Sequence, residues 1–396
     1  MTRAGVGGTR SYEFARRFVA RGHEVSMVTA ASTGNQRRGD VEGIDVIPVG
    51  AGYSDYVRAT GMSYPRRLLE FVRFALSATL TVVRGPRPDV IYATSPPLTM
   101  ALPAVVASKR HRAPLVFEVR DLWPEAPIQM GALRNPILQR LARALERFVY
   151  RNATEVIALS PGMRAGVIAA GVPEERVTLV PNASDLELFS PDVDGSPERE
   201  RLGLGDRFVA TYFGTMGEAN DLTQVIEAAA RLKERGENRV AFVLHGGGKR
   251  RAALEELARE LGTDNVVFSD PIPDKESVAR LAAASDACMT IYKDVPILYT
   301  CSPNKLFDTF AAGRPAIVNT PGWLQELVEE NDAGLFARPR DGDHLADQVL
   351  RLRDDPDLAR RQGQNARRLA ESEFSRDLLA ERSLSVLERA AAGTSR

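Results

Sequence analysis

Short runs of β-branched and apolar residues recur along the chain, separated by longer stretches whose apolar positions fall at helical spacing. In the first half the strand-like runs are 25–29, 44–48, 90–93, 115–118, 156–159 and 177–180, with helical patterns over 9–21, 64–84, 98–110, 136–151 and 161–170. The second half repeats the alternation. Its runs at 209–213, 241–245, 266–268, 287–291 and 316–319 are interleaved with helical patterns at 221–235, 249–261, 274–284, 303–312 and 323–330. Three charged helical stretches close the chain at 342–354, 356–371 and 375–390. Strands and helices alternating in this way predict parallel sheets covered on both faces. The polar, turn-rich stretch from 182 to 206, with SPDVDGSPE at its centre, divides the halves. We therefore expect an N-terminal domain over 1–189, a linker over 190–206, a C-terminal domain over 207–373, and a final helix over 374–396 that packs back on the first domain.

The chain opens on GVGG, residues 5–8, a turn that in a nucleotide-binding α/β unit follows a central strand. No such strand precedes it here, so the first sheet is expected to lack its first strand. Length agrees with two domains: 396 residues exceed one compact core. Two cysteines, Cys288 and Cys301, exclude a disulfide framework and point to a reducing compartment, the cytoplasm. No apolar run reaches the roughly 18 residues that a membrane span needs. The net charge of zero hides an asymmetry, because residues 1–190 carry 24 Lys+Arg against 17 Asp+Glu. A basic first half suits anionic lipid or a phosphorylated substrate, and scattered solvated charge accounts for it equally.

Candidate chemistry gathers where strands end. Residues 301–313, CSPNKLFDTFAAG, read as a loop entering a helix, with Ser302 as N-cap, Pro303 at the first helical position and Gly313 as the stop. Such a helix aims unpaired N–H groups and the positive end of its dipole at a phosphate. Lys305 adds a charge there, and Asp308 offers an acceptor to sugar hydroxyls. An ordinary capped helix gives the same pattern. YFGTMG (212–217), with Gly214 and Gly217, and HGGGK (245–249), with Gly247 and Lys249, follow two strands and let phosphates approach the backbone. From the first domain come Ser95 and EVRDLWPE (118–125), holding Glu118, Arg120, Asp121 and Trp123. The histidines 23, 111, 245 and 344 have no metal-ligand spacing. Neither a Gly-x-Ser-x-Gly elbow nor a Walker A loop occurs. Residues 354–357, DDPD, read as a turn and cap.

Together PNASDLELF (181–189), YFGTMG, HGGGK and SPNKLFDTFAAGRP resemble the retaining GT-B glycosyltransferases of family four. VRDLWPE is similar to their bacterial surface-polysaccharide branch, which includes N-acetylfucosaminyl transferases. The resemblance implies two Rossmann-like domains facing across a cleft, with a nucleotide-sugar donor, UDP-sugar favoured, on the second. It also implies an acceptor on the first, a glycan or polyprenyl-diphosphate-linked sugar, and metal-independent transfer with retention and no cofactor. By likeness Ser302, Asn304 and Lys305 would hold the diphosphate, Asp308 the ribose, and Ile272 would lie by the base. Gly214, Gly217, Gly247 and Lys249 would complete the donor site. Gly7, Gly8, Ser95, Glu118, Arg120 and Trp123 would meet the acceptor, with Arg120, Asp121 and Lys305 carrying the chemistry. No nucleic-acid partner is expected.

The chain departs from the family at several points. The usual Glu-x7-Glu signature reads Thr300 and Asp308, Arg120 stands where a histidine is common, and Glu218 where a basic residue often follows the turn. Two other readings stay open: a UDP-sugar 2-epimerase of the same architecture, and a non-catalytic homologue acting as a binding partner. The apolar helix over 65–84, edged by Arg66, Arg67, Arg73 and Arg84, is read as a buried sheet-flanking helix, with peripheral membrane contact as the alternative.

Overall fold

The computed structural model describes residues 10–31, 37–50, 64–96, 98–272 and 274–393, and for 64–71 the backbone alone. Its first half runs α1 (Arg10–Ala20), β1 (Val25–Ala30), β2 (Gly39–Val41), β3 (Ile44–Val49), α2 (Tyr64–Arg84), β4 (Ile91–Thr94) and α3 (Ala101–His111). It continues with β5 (Leu115–Val119), α4 (Glu125–Gln129), α5 (Pro136–Asn152), β6 (Glu155–Ala158), α6 (Pro161–Ala169) and β7 (Val177–Leu179). These strands form two sheets that are not hydrogen-bonded to each other among the described residues, a parallel β4-β5-β6-β7 and a smaller β1-β3-β2. The GVGG turn, with Gly7 and Gly8, lies outside the described residues. β2, which the sequence pattern does not reveal, pairs antiparallel with β3 through Glu42 and Gly43, both at positive φ, as a two-residue hairpin turn requires.

The second half begins with α7 (Ser196–Arg201), β8 (Phe208–Phe213), α8 (Thr223–Glu234), β9 (Val240–His245), α9 (Arg251–Glu260), β10 (Val266–Ser269), α10 (Lys275–Ala283) and β11 (Ala287–Thr290). α11 (Asn304–Ala311), β12 (Ala316–Val318), α12 (Trp323–Glu330), β13 (Gly334–Phe336), α13 (Gly342–Asp354), α14 (Pro356–Ser372) and α15 (Arg376–Gly393) complete it. Six parallel strands lie in the order β10-β9-β8-β11-β12-β13. All six residues of β9 are buried, which is why the central strands read as continuous apolar runs rather than alternating ones. Both halves are thus Rossmann-like α/β units, and chain order reverses between β8 and β11.

One expectation changes here. The stretch read as a linker contains α7, and its docking on the second half is tight. A Cβ on Gly195 would sit 2.3 Å from the Ala284 nitrogen, and Arg199 donates to the Ala284 carbonyl at 2.7 Å while pairing with Asp286 at 3.3 Å. Six mostly charged residues carry too little apolar periodicity to be read as a helix. Asp355 caps α14 by accepting from the Leu358 N–H, as the DDPD turn suggested. α15 leaves the second half and lies against α1, β5 and β6 of the first. There Arg17 reaches Asp377 at 2.5 Å.

Candidate functional site

Open α/β sheets bind ligands beyond the carboxyl ends of their strands, where chain order reverses. In the second half that crevice lies between the loops after β8 and β11. The glycine loops after β8 and β9 press against each other: Gly214 N–H donates to the His245 carbonyl at 3.0 Å and Met216 N–H to the Gly247 carbonyl at 2.8 Å. A Cβ on Gly246, held at φ 133°, would sit 2.0 Å from the Gly214 oxygen. One on Gly248 would sit 2.4 Å from that of Met216. Only glycine allows this approach. Gly217 is half-buried beside the turn, while Lys249 and Glu218 are exposed. The half-buried Ile272 follows Pro271, whose ring lies 3.5 Å from the position of a Cβ on Gly247, so the 271–272 stretch borders the same loops.

Lys305 enters this crevice from the first turn of α11. Its ammonium donates to the Tyr212 hydroxyl at 2.8 Å and to Asn220 Oδ1 at 3.5 Å. It stands 4.0 Å from the ring centroid of Tyr212 and 5.6 Å from that of Tyr292. No carboxylate pairs with it among the described residues. Burial therefore drives its pKa down from 10.5 to about 7. The Tyr292 backbone is held by Asn319, whose Oδ1 accepts from the Tyr292 N–H at 2.8 Å and whose amide donates to its carbonyl.

The start of α11 differs from expectation. Its N-cap is Pro303, with no side-chain cap, and the helix begins at Asn304, which is exposed. Ser302 does not cap it, because its Oγ accepts from the Asn182 N–H at 3.0 Å and its carbonyl from the Asn182 amide at 2.5 Å. The first-turn N–H groups of α11 thus receive no side-chain acceptor. Asp308, one turn on, faces the first half and accepts from the Ser184 hydroxyl at 2.8 Å. Burial raises its pKa, against the opposing charges of Arg376 and Lys275. Thr300, at the position of the usual first glutamate, packs by its methyl on Gly162 and accepts from the Ser160 hydroxyl through its carbonyl at 2.5 Å. These bonds fasten the loop ahead of α11 to the first half.

Across from Lys305 lies the loop after β5. Burial raises the pKa of Cys301 and of Tyr292, and the nearby Asp121 carboxylate adds to both shifts. Burial lifts its own from 3.8 to about 6, with Arg120 opposing. Arg120 N–H donates to Ser95 Oγ at 3.1 Å, and Ser95 N–H to the Glu118 carbonyl at 3.0 Å, joining the two first-half loops. Trp123 is half-buried against the core. Glu118, expected at the acceptor, is turned into the sheet instead. It is 1% exposed, and its oxygens accept from Arg10 at 2.9 Å, Tyr92 at 2.5 Å and Thr94 at 3.0 Å. Burial acts to raise its pKa, but the charges of Arg10 and Arg120 prevail and hold it below the ordinary range. Glu118 anchors Arg10, whose guanidinium also donates to the Pro181 and Val180 carbonyls at 2.6 and 2.9 Å.

The structure thus gathers Gly214, Gly217, Gly247 and Lys305 around one crevice, brings Asp121 near Cys301 and Tyr292 beside it, leaves Lys249 exposed at its rim, and turns Glu118 and Ser302 to positioning work. Sequence reading missed Tyr212, Asn220 and Tyr292. Tyr212 reads as strand core, and only its place just before a glycine turn hinted at more. It also missed Asn182 and Ser184 as partners of Ser302 and Asp308, although both sit in the PNAS segment. Cys288 and Cys301 are free thiols. No helix among the described residues is long and apolar enough to cross a membrane.

Residues 6–183 match the model of a Glycosyl transferase 4-like domain, and 196–369 that of Glycosyl transferases group 1. The chain is 28% identical over 342 residues to a protein named for colanic acid biosynthesis, the glycosyl transferase WcaI of Escherichia coli strain K12, with 80% of each chain covered. It is 27% identical over 240 residues to alpha-D-kanosaminyltransferase of Streptomyces kanamyceticus, covering 59% of this chain and 60% of that one. Among solved structures, sucrose-phosphate synthase from Thermosynechococcus elongatus superposes with a TM-score of 0.79 at 21% identity, covering 98% of this chain and 94% of the other. Anabaena HepE, solved in complex with UDP and glucose, gives 0.69 at 20% identity over 96% of each chain.

Proposed function

Because the chain belongs to the GT-B glycosyltransferases that join a Glycosyl transferase 4-like domain to a Glycosyl transferases group 1 domain, we propose that it moves a sugar from a UDP-sugar to a lipid-linked glycan acceptor. The transfer proceeds with retention and without a metal ion, during synthesis of a cell-surface polysaccharide at the cytoplasmic face of the membrane. One observation carries the donor assignment. Lys305 has no carboxylate partner among the described residues and is placed at the chain-reversal crevice beside a helix start that no side chain caps.

In this reading the donor diphosphate lies against the Asn304 and Lys305 N–H groups and the Lys305 ammonium, with the glycine loops at 214 and 246 giving its oxygens room. Ile272 borders the base, and Asp308 exchanges its bond with the Ser184 hydroxyl for the ribose hydroxyls. When the bond from C1 to the leaving oxygen breaks, negative charge grows on the diphosphate, and fixed N–H donors and one cation stabilise it. The acceptor oxygen bonds to C1 on the same face, and its proton passes to the departing diphosphate. Asp121, opposite Lys305, orients the transferred sugar, and Arg120 and Trp123 border the acceptor. The preference for UDP draws support from HepE, a protein of the same fold solved with UDP. The polysaccharide role draws on WcaI, named for colanic acid biosynthesis.

A thermal-shift screen against UDP, GDP, dTDP and ADP, with and without EDTA, tests the proposal. At about 100 times its dissociation constant a ligand adds about 2.7 kcal/mol of stability, a readable shift. Stabilisation by UDP that EDTA leaves unchanged is expected. Stabilisation by none of the four, or only with a divalent ion, would overturn the donor reading.

A further inference from the structure

Nine large apolar side chains are exposed among the described residues, and eight of them fall on three helices of the first half. Val72, Leu76 and Leu80 occupy one stripe of α2 at i, i+4 and i+8, and Val106 lies on α3. Ile137, Leu138, Leu141 and Phe148 lie on α5, with exposures of 65, 46, 61 and 40%. α2 packs on α3, and α3 on α5, so the side chains share one side of the domain. Scattered exposed apolar residues need no explanation, but such a concentration marks a covered surface.

α5 shows the pattern best. Over its 17 residues only Val149 and Tyr150, in the last turns, are buried. The preceding turns present an apolar stripe to solvent where a globular helix would bury it. Arg140, Arg147 and Arg151 flank this stripe, and Lys109, Arg110 and Arg112 end the neighbouring α3. All six are exposed, and none pairs with a carboxylate within 4 Å among the described residues. Lys109 lies over the Phe148 ring, 5.4 Å from its centroid, and an apolar stripe edged by cations without carboxylate partners is complementary to a surface that is hydrocarbon beneath and anionic above.

We propose that the α2–α3–α5 face docks on an anionic lipid bilayer, inserting Ile137, Leu138, Leu141 and Phe148 into the interface while the flanking arginines meet the headgroups. With no helix able to span among the described residues, the contact is peripheral. α2 takes part with its outer stripe, whereas Phe74 and Ala78 face inward, so it is neither wholly buried nor the main contact. Arg143 of α5 bonds Glu125 at 2.8 Å, and α4 follows directly on the loop of Asp121 and Trp123, which places the crevice's acceptor side next to the docked face. The inference rests on the surface itself and holds whatever sugar is transferred.

Flotation of the full chain with vesicles of phosphatidylcholine alone, or of equal parts phosphatidylcholine and phosphatidylglycerol, tests it without donor or acceptor. Binding to the anionic vesicles, weakened by salt, is expected. Leu138→Glu with Leu141→Glu should lower binding at least tenfold while leaving the UDP thermal shift intact, since both side chains are solvent-exposed. Arg140→Ala with Arg147→Ala should lose about fivefold per arginine on anionic vesicles only. Equal flotation of the wild type and the Leu138/Leu141 variant would overturn the proposal. So would absence of flotation together with a dimer, seen by sedimentation velocity, that the same variant dissolves, because a second copy would then cover the face.

Discussion

Replacing Lys305 with methionine should make the protein more stable and less able to hold its donor. The ammonium has lost most of its water, gains no ion pair, and its pKa falls from 10.5 to about 7. At about 1.36 kcal/mol per pH unit, this penalty on the cation amounts to at most about 5 kcal/mol. Because the folded-state value lies below the unfolded one, the penalty is fully present below about pH 7 and fades as pH rises toward 10.5. The gain on substitution is therefore largest in mild acid, where methionine fills the same space between Tyr212 and Tyr292 without charge. Contact with a diphosphate should restore the proton, so donor binding to the wild type takes up a proton above about pH 7 and weakens with further rise in pH. Urea unfolding at about pH 6 and about pH 9, paired with calorimetric titration of UDP in buffers of different ionisation enthalpy, reads both effects. Lys305→Ala should lower transfer by on the order of 10² or more. A Lys305→Met protein that is less stable than wild type at about pH 6, or UDP binding without proton uptake above pH 7, would refute the reasoning.

Asp121, with its pKa lifted to about 6 by burial, should give the rate an acid limb near that pH. Asp121→Asn should abolish the limb and lower kcat by about 10² in a pH–rate profile. Arg10→Met takes the ion-pair partner from buried Glu118 and leaves it only the Tyr92 and Thr94 hydroxyls and the Arg120 charge, so urea unfolding should show a loss of about 3–5 kcal/mol. Gly246→Ala forces a Cβ to 2.0 Å from the Gly214 oxygen at φ 133°. It should remove the UDP thermal shift while far-UV circular dichroism stays unchanged, at a cost of about 1–3 kcal/mol.

Most of the architecture is legible in the sequence because buried parallel strands such as β8 and β9 are continuous apolar runs that local propensity and tertiary burial both favour. The misses are short or polar. β2 has three residues and one apolar side chain, β13 is a strand of three, and α7 is mostly charged, so each is specified by what it packs on. The site is legible as loops but not as partnerships. SPNKLFD reads as a helix start suited to a phosphate, yet nothing local reveals that Ser302 serves Asn182, 120 positions away, instead of capping the helix. Glu118 shows the same limit, since a carboxylate at a strand's end reads as ligand-facing until Arg10, 108 positions earlier, is found bonded to it. Tyr212 and Tyr292 look like core aromatics because they are core aromatics, and their second use as the walls around Lys305 exists only in three dimensions.

A crystal structure of the protein with UDP tests the central claim most directly. The account predicts diphosphate oxygens within hydrogen-bond distance of the Asn304 and Lys305 N–H groups and the Lys305 ammonium, with no metal bridging the phosphates. UDP bound away from the start of α11, or held there through a divalent ion, would contradict it.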